Sequence, residues 1–179
     1  MNILFRKFDT PFESIPFSKI KPADYSPALE SEIASAKAKI EQIAQSEATP
    51  DFENTLVALE DAGRRVNRIA SLFFNLHAAV GKPEMQRLAE QLTPMLTEFQ
   101  SDISLHEGLF KRIKAVCRQR ENLNPEQQEL LRKTYLQFSR NGAELNPADK
   151  RTLRNRPRNR TAQPGIRRAS AATNRGSHP

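Results

Sequence analysis

The chain has no tryptophan, one cysteine, six glycines and three histidines in 179 residues. With Cys117 alone, neither an intramolecular disulfide nor a multi-cysteine zinc site can form, and a reduced, cytoplasmic setting is expected. No Gly-rich phosphate loop occurs, which removes the common nucleotide-binding signatures. Long apolar runs are missing too. Met1 to Phe5 is apolar but is broken at once by Arg6 and Lys7, too short for a signal-peptide core, and nothing later approaches the roughly 20 residues of a membrane span. After Lys150 the chain carries eight arginines, no lysine and no acid. The whole chain holds 28 Lys+Arg against 21 Asp+Glu, so the formal charge of +7 lies in that tail and the preceding body is close to neutral.

What is present divides into three parts. Residues 1–25 are expected to form an extended arm, because Pro11, Pro16 and Pro22 interrupt any helix while Phe8, Phe12 and Phe17 require burial. Residues 26–154 read as an all-α domain, an antiparallel bundle or array of amphipathic helices joined by short connections. Ser26-Pro27 predicts the first helix, carried by Leu29, Ile33, Ala36, Ile40 and Ile43. Thr49-Pro50 predicts the second, through Phe52, Leu56, Leu59, Val66, Ile69, Phe73 and Leu76 to Gly81, with Gly63 inside it marking a close helix–helix approach. Lys82-Pro83 opens a third, which Pro94 should kink. A fourth is expected from about Glu107 to Arg120 on Phe110, Ile113 and Val116. Asn124 with Gln127 forms a capping box for a fifth, which ends at Gly142. Asn146-Pro147 announces one more helix, but Asn155 and Pro157 interrupt it. Residues 155–179 then lack the apolar side chains that offset conformational entropy, and a disordered tail is expected.

No catalytic, cofactor-binding or metal-ligating residue is assigned. His106-Glu107 begins like the zinc signature His-Glu-x-x-His but continues Gly108-Leu109-Phe110, and Phe110 cannot ligate. His106 is read as a capping or surface residue, and His77 as an ordinary interhelical histidine. Cys117, beside Val116, is read as a small buried hydrophobe, and Phe73-Phe74 as core. Asp51 and Glu53 suit a helix start better than a metal. His178 falls in the tail. That tail, with Arg154, Arg156, Arg158, Arg160, Arg167 and Arg168, offers two readings: out-of-frame sequence, or an arm binding nucleic acid or another polyanion. With no aromatic to stack on bases, its contacts with nucleic acid are expected to be non-specific.

The body also resembles a known family. Phe8-Asp9-Thr10-Pro11-Phe12, Pro16-Phe17 and Ile20-Lys21-Pro22 are similar to the N-terminus of the thimet oligopeptidase family of zinc metallopeptidases, in its oligopeptidase A and peptidyl-dipeptidase branch. So are Phe52-Glu53-Asn54-Thr55, Phe73-Phe74-Asn75-Leu76, Leu109-Phe110-Lys111-Arg112-Ile113 and Leu130-Leu131-Arg132-Lys133-Thr134-Tyr135. The resemblance runs in order from residue 5 to 154 and stops where the last helix fails. It implies a longer, almost wholly helical enzyme that cleaves short peptides with zinc held on a distant His-Glu-x-x-His helix. The implied role for this chain is an N-terminal helical fragment without the zinc or its ligands, inactive alone. Helix faces left without their usual neighbours are expected to expose apolar patches and favour self-association. The alternative is a helical interaction module with an Arg-rich binding arm.

Overall fold

A computed structural model describes residues 2–6, 8, 10–11, 14–145 and 149. Among them are five α-helices and no strand: α1 (Pro22–Gln45), α2 (Ala58–Val80), α3 (Pro83–Ser104), α4 (Glu107–Cys117) and α5 (Pro125–Arg140). The Asn146-Pro147 cap, the boundary at 154 and the tail of residues 155–179 lie outside the described residues.

α1 begins five residues before the Ser26-Pro27 start expected from sequence. Pro22 takes the first helical position and the Asp24 carboxylate accepts the Lys21 backbone N–H at 2.8 Å. Pro27 therefore sits inside the helix and forgoes one backbone hydrogen bond. Burial outweighs that loss, because the added turn brings Tyr25 fully into the core beside Ala28 and Leu29. The Tyr25 ring meets Phe73 edge-on, with centroids 5.2 Å apart.

α1 is the central helix, packed against α2, α3 and α4. Its pairing with α2 is antiparallel: Glu32 accepts from Arg65 at 3.0 Å, and further along α1 Lys39 lies near the earlier Asp61 at 3.9 Å. Leu29, Ala36 and Ile40 of the predicted stripe are buried, while Ile33 and Ile43 pack against the core from partly buried positions.

The second helix enters through a π-helical turn at Glu53–Val57. Its cap is not Thr49-Pro50. Asp51 Oδ1 accepts the Asn54 N–H at 2.7 Å and Asn54 Oδ1 accepts the Asp51 N–H at 3.0 Å, a reciprocal pair one turn apart. Gly81 ends α2 with φ of 60° and donates its N–H to the His77 carbonyl. α3 starts at Pro83 as expected and runs on through Pro94. α5 carries the full Asn124–Gln127 capping box.

Two local expectations are corrected. A methyl group built on Gly63 would meet only Asn67 Nδ2 at 3.7 Å, so this glycine marks no close helix approach. The close approach is at Gly108, where the added carbon would lie 3.2 Å from the Ala44 methyl of α1. The arm, too, is not simply extended. It makes 3₁₀ turns at Ile3–Phe5 and Phe17–Lys19, and it is held by buried Leu4, Phe8 and Ile20, with Arg68 lying over the Phe8 ring at 4.5 Å. Phe17, in the second 3₁₀ turn, and Ile15, ahead of it, are exposed; Phe12 lies outside the described residues.

Candidate functional site

Arg112 is a buried arginine whose two terminal nitrogens are hydrogen-bonded, while its Nε has no partner among the described residues. On α4 it occupies the same face as Leu109, Ile113 and Val116, all buried, and it is itself only 5 % exposed. A guanidinium on a core face must find acceptors, since its charge cannot be shed. Nη1 donates to the Ser46 carbonyl at 2.8 Å and the Ala48 carbonyl at 3.1 Å, and Nη2 to Asn54 Oδ1 at 2.7 Å. Asn54 in turn donates from Nδ2 to the Thr49 carbonyl at 2.9 Å and to Asp51 Oδ2 at 2.8 Å. One arginine thus fastens the whole α1–α2 connection to α4. The arrangement supplies rigidity; it brings no nucleophile, general base or metal ligand together.

The residues weighed from sequence fall into separate places. His106 caps α4, its Nδ1 accepting the Leu109 N–H at 3.2 Å, while Nε2 lies 3.0 Å from Glu41 Oε2. Hydrogen bonds from His106 and then Gln45 hold the Glu41 carboxyl below its ordinary value. His77 stacks on Phe73 at 5.9 Å in the last turn of α2. Cys117 is half-buried, and burial pushes its thiol up despite the opposing charge of Arg120, the reverse of an activated nucleophile. Asp51 is spent on capping. Phe73 is fully buried, but its neighbour Phe74 is exposed, correcting the expectation that both are core. Among the described residues no cluster of three or more His, Cys, Asp or Glu could hold a metal ion, and no helix is long and apolar enough to cross a membrane. His178 and the tail arginines lie outside the described residues.

One concave feature stands out. Between α4, the turn after it and α5 lies a groove of about 600 Å³, with Lys114, Arg118, Arg120 and Arg132 around Leu131 and Tyr135. Sequence reasoning passed over both this groove and Arg112. The groove joins residues from two helices, which no local pattern reveals. Arg112 did carry a signal, a charged residue on an otherwise apolar stripe.

No family model matches the chain. Comparison with individual curated proteins is decisive. The chain is 36 % identical over 146 residues to a dipeptidyl carboxypeptidase of Salmonella typhimurium, and 36 % over 156 residues to that of Escherichia coli. These relatives are of the thimet oligopeptidase family, and the chain is homologous to part of each. Oligopeptidase A of Escherichia coli is also similar, 32 % identical over 102 residues. The alignments cover 80 % and 86 % of this chain but 22 % and 23 % of the two carboxypeptidases, so it spans under a quarter of the length of these relatives. Within this chain, the Phe52-Glu53-Asn54-Thr55 stretch that carries much of the resemblance has a structural use. Phe52 and Thr55 are buried, and Asn54 is the residue Arg112 holds.

Proposed function

We propose that this helical unit is the N-terminal scaffold of an oligopeptide-cleaving zinc metallopeptidase, forming part of one lobe and a wall over the substrate channel. The observation that carries this reading is the contrast in coverage: 80 % of this chain aligns with 22 % of a dipeptidyl carboxypeptidase. The fold suits the role. A wall must be stiff, and α1 is fixed to α2 by Glu32–Arg65, to α3 by Lys37–Asp102 at 2.7 Å, and to α4 through the Arg112 clamp. In such an enzyme this unit restricts access to short, unfolded peptides, while metal-bound water attacks the scissile carbonyl elsewhere. By itself the unit neither holds zinc nor hydrolyses peptides, and a free cysteine fits a cytoplasmic setting.

Zinc retention tests the reading. The purified chain, equilibrated with zinc and then gel-filtered, is expected to emerge without stoichiometric metal. Retention of one tightly bound zinc per chain overturns it.

A further inference from the structure

We propose that the groove between α4 and α5 binds an acidic peptide segment, seating an apolar side chain on its floor and carboxylates on its rim. The inference rests on this groove alone and does not depend on the peptidase reading. Its cavity, about 600 Å³, is large enough for several side chains.

The charge around it is uncompensated in a particular way. Arg132 and Glu129 satisfy each other, with Nε and Nη2 donating to the two carboxylate oxygens at 2.7 and 2.8 Å. Lys114 has a share in Glu144 at 3.9 Å and lies over the Phe110 ring at 4.6 Å. Arg118 and Arg120, among the described residues, have no carboxylate partner at all. Two free guanidinium groups beside an apolar floor are complementary to carboxylates on a chain that also carries an aliphatic residue. The apolar part of the lining comes from Leu131, Pro125 and Tyr135.

A phosphate polymer fits less well. Tyr135 is not free to stack on a base, since its hydroxyl donates to Glu144 at 2.7 Å and its ring packs against Phe110 at 5.6 Å. Nor is the occupant the chain's own tail, which has eight arginines and no acid after Lys150.

Fluorescence anisotropy on the full chain tests the proposal, with a short fluorescein-labelled peptide of alternating Glu and Leu as probe. The pair Arg118→Gln, Arg120→Gln is expected to weaken binding about tenfold. The pair Arg64→Gln, Arg87→Gln, an equal loss of charge on exposed positions of α2 and α3, is expected to change it by less than about twofold. If the groove pair does not fold by circular dichroism, Arg118→Gln alone is expected to give about a threefold loss. Equal losses from the two pairs would mean attraction to net charge and overturn the proposal. So would absence of binding, or a labelled oligothymidylate that binds as tightly and is lost with the same groove pair.

Discussion

The Arg112 guanidinium meets the Asn54 side-chain carbonyl at 2.7 Å across 58 positions of sequence. The same guanidinium holds the Ser46 and Ala48 carbonyls, so the connection between α1 and α2 takes its shape from a residue on α4. Arg112→Ala removes these bonds together and opens a core position. It is expected to cost about 2–3 kcal/mol in urea denaturation, with Arg112→Lys recovering little because an ammonium lacks the planar fork.

The two helix-associated glycines should respond oppositely to a methyl group. Gly108→Ala presses a carbon to 3.2 Å from the Ala44 methyl and is expected to destabilise by about 1 kcal/mol or more. Gly63→Ala meets only Asn67 Nδ2 at 3.7 Å and is expected to stabilise by about 0.5–1 kcal/mol through the helix propensity of alanine. Thermal unfolding of both variants beside the parent checks the pair.

Tyr25 is fully buried, and its hydroxyl has no hydrogen-bond partner among the described residues. Burial, then the charge of Asp24, raises its phenol above the ordinary 10.0. The folded state therefore resists ionisation that the unfolded chain accepts, and stability falls as pH rises through that value. Tyr25→Phe is expected to be neutral to slightly stabilising near neutral pH and to reduce the alkaline loss, read from unfolding curves on either side of it.

Glu129 is held down to about 2 by hydrogen bonds from Arg132, reinforced by the charges of Arg132 and Lys133. Its contribution is whole above the ordinary 4.5 and is lost as pH falls toward about 2, since the unfolded chain takes up the proton first. Carboxyl titration by NMR should show this low midpoint, and Arg132→Ala should return it most of the way to 4.5.

The sequence was legible wherever one local rule decided the outcome. Pro83 at a helix start, Gly81 at a helix end, the Asn124–Gln127 box and the capping role of His106 all follow from chemistry within a few residues. It misled where two local solutions competed. Ser26-Pro27 and Lys21-Pro22 with Asp24 are both acceptable starts, and the burial of Tyr25 against Phe73 decides between them. Thr49-Pro50 lost to Asp51 because Asn54 is needed both as a cap partner and by Arg112. The misplaced glycine contact has the same origin. Which helix crosses Gly63 or Gly108 is a tertiary fact, as is the exposure of Phe74 beside buried Phe73. The resemblance was readable in short ordered stretches, and the comparisons bear out that family relationship.

The central claim is that the helical unit supports peptide cleavage in a larger enzyme without performing it. The most direct test is hydrolysis of a quenched-fluorescent oligopeptide by the pure chain, with added zinc and then with chelator. The account predicts no turnover above buffer in either condition. Zinc-dependent cleavage that chelator abolishes and fresh metal restores would contradict it.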